Sequence, residues 1–106
     1  MSDAIQISTT TGDRATAERI AAELVDRRLA ACVQIGGPIS STYHWKEKIE
    51  TTEEWICTIK TLAENFSAIE EAICKVHPYD VPEILAVPII AGSAAYLDWL
   101  RAESQS

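Results

Sequence analysis

Apolar and polar positions along this 106-residue chain change their period several times, and each change marks an element. Residues 4–9, AIQIST, alternate, with Ile5 and Ile7 on one face and Gln6 and Ser8 on the other, the pattern of a half-buried strand. TTGD at 10–13 breaks the alternation. Asp13 is suited to cap a helix, because its carboxylate can accept backbone N–H groups that would otherwise lack partners. From there Ala17, Ile20, Ala21, Leu24, Val25 and Leu29 recur at helical spacing. Arg27 and Arg28 then bring positive charge to the negative end of the helix dipole. Residues 30–35, AACVQI, predict a second strand. GGP at 36–38 reads either as a hairpin turn or as a bulge that re-aims a longer strand. STYHW at 41–45 is rich in strand formers, so the strand continues and the hairpin tip falls at KEK, 46–48. Residues 54–61 predict a third strand with Trp55, Cys57 and Ile59 on one face and Ile56, Thr58 and Lys60 on the other. A helix over 64–76 buries Phe66, Ile69, Ile73 and Val76, supported by Ala72. A fourth strand spans 83–90, where Pro88 has no N–H to donate and so marks an edge or an end. Ser93 caps a last helix over 94–102.

The order strand, helix, strand, strand, helix, strand is the split βαβ arrangement of ferredoxin-like α+β folds, here with an extra C-terminal helix. Residues 1–106 form one domain. Together the second and third strands and their bend span roughly 30 residues, against the usual ~6 for one strand. A two-helix layer cannot cover that length, which leaves Tyr43, Trp45 and Trp55 on a projecting hairpin. Large aromatics on a long open edge predict a partner, and the simplest is a second copy joined edge to edge.

Composition narrows the function. Apolar residues make up 47%, enough for a core without a disulfide or metal staple. No apolar run reaches the ~20 residues of a membrane span. The start, Met1-Ser2-Asp3, lacks signal-peptide features, so the expected compartment is the cytoplasm. A net charge of −7 repels nucleic acid and anionic membranes alike. Cys32, Cys57 and Cys74 form no C-x-x-C pair, which predicts reduced thiols and no structural zinc.

Candidate chemistry concentrates in KVHPYDVPEI, 75–84. Pro78 and Pro82 stiffen the backbone and hold the preceding residues extended. His77 is then either a metal ligand presented to a pocket or a hydrogen-bonded cap on a stiff connector. Cys32 is either a core thiol or one that faces an intersubunit pocket. Cys57 packs in the core, and Cys74 lies on a helix flank or faces solvent. Trp45, Glu50, Lys60 and Tyr79 outline, with Cys32, a cleft for a small anionic or amphipathic ligand. The alternative is that the aromatics pack between subunits and Glu50 pairs with Lys60 structurally. Cys32 with His77 could suggest a hydrolase, but no third residue orients the pair. With no G-x-G-x-x-G, P-loop or H-E-x-x-H either, the chain reads as a binding protein and not an enzyme.

LAACVQI (29–35), YHWKEKIE (43–50), IKT (59–61), HPYDVPEI (77–84) and YLDWL (96–100) together resemble, in order and spacing, the CutA divalent-cation-tolerance family. The resemblance covers nearly the whole chain. It implies a ferredoxin-like subunit in a tight homotrimer similar in architecture to PII signalling proteins, and a cytoplasmic role linked to copper or other divalent cations. It also implies no settled catalytic activity, and it leaves a PII-like metabolite sensor or a partner-binding structural trimer as alternatives. Glu47 stands where family members often have Gly at the hairpin tip, which predicts a wider turn. At the positions taken as copper ligands in some members, a first-strand Cys and a His-His pair, this chain has Ser8, Val76 and His77.

Overall fold

A computed structural model describes residues 3–105. It contains β1 (Ala4–Thr11), α1 (Arg14–Asp26), β2 (Cys32–Trp45), β3 (Lys48–Leu62), α2 (Phe66–Val76), β4 (Leu85–Pro88) and α3 (Ala94–Glu103), with a single 3₁₀ turn at Ala63–Asn65 before α2. The strands form one antiparallel sheet in the order β2-β3-β1-β4. This is the ferredoxin-like topology that the element order predicts.

Local chemistry sets the helix starts. Asp13 accepts the Thr16 N–H at 2.7 Å, and that bond holds its carboxyl below the ordinary value. Ser93 accepts the Tyr96 N–H at 3.3 Å to begin α3. Arg27 is the C-cap of α1, and Arg28 takes the positive φ of 55° that ends it.

The core lies between α1, α2 and one sheet face. Ile7, Cys57 and Ile59 from the sheet meet Ala17, Ile20 and Leu24 of α1 and Ile69 and Ile73 of α2, all buried. Val25, expected on the buried stripe, is 45% exposed, because it stands a step of about 100° round the helix from Leu24, off the line of Ala17, Ile20 and Leu24. The opposite sheet face is covered only at one end, where Ala4 and Leu62 pack on Leu97 and Leu100 of α3. Leu85 and Val87 of β4, paired with Ser8 and Gln6, share that open face and remain exposed. β4 is an edge strand that ends at Pro88, as the missing donor requires.

β2 and β3 are 14 and 15 residues long. β1 accompanies β3 only as far as the Thr11–Trp55 pair, so residues 39–45 and 48–54 pair only with each other and form a two-stranded arm. The molecule is accordingly elongated, 45 × 25 × 22 Å. At the base of the arm the register slips between Gly36 and Ile39, which sets Gly37 and Pro38 against Trp55. GGP is therefore a bulge and not a hairpin turn. Gly37 has φ +150°, and a Cβ there would stand 2.7 Å from Trp55 Cδ1. Trp55 is not on the arm, as the hydrophobic pattern suggested. It is half-buried against the core, because the bulge removes side chains from the surface it covers. Tyr43 and Trp45 do stand exposed on the arm. The tip is a two-residue turn, Lys46 and Glu47 with φ of 50° and 67°, and Lys48 already pairs with Trp45. It is tighter than Glu47 predicts, because both central residues accept the left-handed backbone of a type I′ turn.

Candidate ligand cleft

Three segments meet at the root of the arm: the end of β1, the first half of β3, and the connector 77–84 between α2 and β4. His77 caps α2, its N–H donating to the Ile73 carbonyl at 2.9 Å, and Pro78 holds it extended. Its ring is buried, with Nε2 2.6 Å from the Thr10 carbonyl. A carbonyl can only accept, so Nε2 carries the hydrogen and Nδ1 keeps the lone pair. That lone pair accepts the Tyr79 N–H at 3.2 Å. Both ring nitrogens are thus engaged, and the ring clamps the connector to the end of β1.

Tyr79 follows from the clamp. Its ring meets His77 edge-on, centroids 4.5 Å apart. It lies over Gly12, where a Cβ would come within 3.1 Å of the phenol oxygen. The hydroxyl donates to Glu54 Oε2 at 3.0 Å. Burial, followed by this carboxylate, pushes the Tyr79 phenol up to about 12. Glu54 is itself only 7% exposed.

These residues wall a cleft of about 740 Å³ between the arm and the connector. Tyr43, Trp45 and Tyr79 supply aromatic surface, and Thr10, Ser41 and Thr42 supply hydroxyls. The charged lining is Glu50, Glu54, Asp80 and Glu83. Among the described residues no Lys, Arg or His lines it.

Of the residues outlined from the sequence, Trp45, Glu50 and Tyr79 come together here. Cys32 and Lys60 do not. They pair with each other at the far end of β2 and β3, and ten residues of β3, roughly 30 Å, separate Lys60 from Glu50. The expected Glu50–Lys60 pair does not form, because the strands run straight between them, and the Lys60 ammonium instead donates to Gln34 Oε1. Cys32 is half-buried beside Tyr96 of α3, whose phenol is raised by burial and by that thiol. Cys57 is buried, its thiol directed at the Ala17 carbonyl 3.7 Å away, and Cys74 is exposed on α2. Cys32 and His77 are not neighbours: β1 carries Gln6 beside Lys60 but Thr10 beside His77, and those four residues span roughly 13 Å.

Glu54 is the site residue that its place in the sequence did not reveal. It opens the predicted third strand as an ordinary polar residue. Taken as part of one unbroken strand from 48 to 62, it falls on the face of Ile56, and an acid on that face is the signal of a partly buried site.

The residues present do not fit the copper constellation that the resemblance implies. His77 has no lone pair to offer, Val76 is apolar, and Ser8 replaces the thiol. Among the described residues no group of three His, Cys, Asp or Glu side chains could hold a metal ion.

Sheet order, arm and cleft define the class: a ferredoxin-like α+β subunit with an extended hairpin. Residues 5–103 match the family model described as CutA1 divalent ion tolerance protein, and the chain belongs to that family. It is 44% identical over 80% of its length to the divalent-cation tolerance protein CutA of Thermus thermophilus, covering 82% of that protein. It is 41% identical to human Protein CutA over 85% of its own length, and it spans about half, 50%, of that longer chain. The crystal structure of CutA from Xylella fastidiosa superposes with a TM-score of 0.95 at 42% identity, over 98% of this chain and 100% of that one.

Proposed function

We propose that the protein works as a homotrimer in divalent-cation tolerance, and that it acts by binding a small ligand in the cleft rather than by catalysis. The observation that carries this is the unpartnered arm and open sheet face. Trp45 is 52% exposed, Leu85 62% and Val87 53%, all on one side of the sheet. An isolated two-stranded ribbon is marginal in water, and surfaces of this kind are stable when copies of the chain cover one another. Three unpaired thiols suit a reducing compartment, such as the cytoplasm. Direct copper ligation by His77 is not part of the proposal. The size and aromatic lining of the cleft favour a PII-like role as a sensor of small molecules.

Sedimentation at low micromolar concentration tests the assembly, with a trimer as the expected result. A stable, well-folded single subunit would sink it. A thermal-shift screen of divalent metals against small metabolites tests the ligand class, with stabilisation by a metabolite expected. Stabilisation by Cu²⁺ alone would refute the small-molecule reading.

A further inference from the structure

Among the described residues every charged side chain that lines the cleft is a carboxylate, and one of them is nearly sealed from water. Glu54 is 7% exposed, and among the described residues its side-chain hydrogen bond comes from the neutral Tyr79 phenol. Among the described residues none of the ion pairs includes it. A buried carboxylate with no cation beside it is unfavourable, and a bound cation relieves that. Aromatic rings share the same space. Their faces carry a negative quadrupole that attracts organic cations, Trp most strongly. Trp45 already has the Lys46 ammonium 5.8 Å from its ring centroid, although Lys46 does not line the cleft. A bare metal ion would use the carboxylates and leave the aromatic walls without a role.

We propose that the cleft binds an organic ammonium ion, with Glu54 and Glu50 facing its charge and Trp45, Tyr43 and Tyr79 enclosing its alkyl surface. The anionic ligand that the sequence suggested depended on Lys60, which lies roughly 30 Å along β3 from Glu50. This inference deepens the proposed function and rests on it only for the cleft being a ligand site.

A matched pair of probes tests it. Choline and 3,3-dimethylbutan-1-ol have nearly the same shape, and only choline is charged. Calorimetric titration of the full chain at pH 7 should show choline binding at least about tenfold tighter. Glu54→Gln should lower that preference several-fold while leaving circular dichroism and sedimentation unchanged, and Glu71→Gln, on the exposed face of α2, should leave the preference intact. Equal binding of the two probes by the wild type, no binding of choline, or a preference that Glu54→Gln leaves unchanged would each overturn the proposal. If Glu54→Gln does not fold, Glu50→Gln, the other carboxylate set against the charge, should lower the preference for choline, and an unchanged preference would overturn the proposal. Sedimentation of the same samples separates the two ideas. A folded single subunit refutes the assembly, whereas an intact trimer indifferent to charge refutes only the ammonium ligand.

Discussion

His77→Phe separates a structural clamp from a metal ligand. Phenylalanine keeps a ring against Tyr79, so the edge-on contact at 4.5 Å survives in outline. Two hydrogen bonds do not. The Thr10 carbonyl loses its 2.6 Å donor and the Tyr79 N–H loses its 3.2 Å acceptor. His77 is 7% exposed and Thr10 8%, so water cannot readily replace the bond between them, whereas the Tyr79 N–H is only partly buried. Leaving a buried donor or acceptor unsatisfied costs about 1–3 kcal/mol. One is deeply buried here and the other only partly, so the substitution should destabilise the protein by about 2–4 kcal/mol. That is a large share of the ~5–15 kcal/mol that holds a domain together.

The assay is equilibrium guanidinium unfolding at a fixed subunit concentration, because association couples to folding. His77→Gln, which retains a donor and an acceptor on one side chain, should recover part of the loss. A parallel Cu²⁺ titration followed by thermal shift should give the same response in wild type and His77→Phe. Wild-type stability in His77→Phe, or a copper-dependent shift that disappears with the ring, would refute the clamp and restore His77 as a ligand.

Three further outcomes follow from particular backbone and side-chain positions. Glu47 has φ 67°, so Glu47→Gly should stabilise the tip by about 0.5–1 kcal/mol per subunit in the same unfolding assay. Gly37→Ala should destabilise by roughly 2 kcal/mol or more and perturb Trp55 fluorescence, since its Cβ would enter the ring at 2.7 Å while φ is +150°. Burial pushes the Cys57 thiol from 9.0 up to about 11, so the unfolded chain releases this proton first. The stability it contributes is complete below pH 9 and is lost as pH rises toward 11, about 2 kcal/mol by pH 10.5. Cys57→Ala, though weaker at pH 7 because of the cavity, should lack that part of the alkaline loss when unfolding is compared at pH 8 and 10.5.

The elements were legible wherever a single face is buried. Ile5 and Ile7 alternate with Gln6 and Ser8, and Ala17, Ile20 and Leu24 recur at helical spacing, because each faces the same core. Asp13 and Ser93 were legible as caps because their chemistry is local. The cleft was legible only in part. Trp45, Glu50 and Tyr79 stand out as residue types, but which of them meet depends on register. Lys60 and Cys32 belong with them by residue type, but the pairing of β2 with β3 carries both to the other end of the sheet. The clamp made by His77 depends on Thr10, whose carbonyl is 67 residues away in sequence, and no local pattern encodes that contact.

Register also explains why the cleft has aromatic walls at all. Before the bulge, Gly36 is opposite Ile56, and after it Ile39 is opposite Glu54. The extra residue on β2 exchanges the two faces of that strand for the rest of its length. Val33 and Ile35, at odd positions before the bulge, face the helices and pack against the core. Tyr43 and Trp45, also at odd positions but beyond it, are thereby brought to the side of Glu50 and Glu54. In an unbulged strand the same residues would face the helix side, where no layer reaches, and the carboxylates would line a polar surface. Gly37 is therefore as much a part of the cleft as any residue that lines it, since it permits both the backbone turn and the close approach of Trp55 on which the exchange of faces depends.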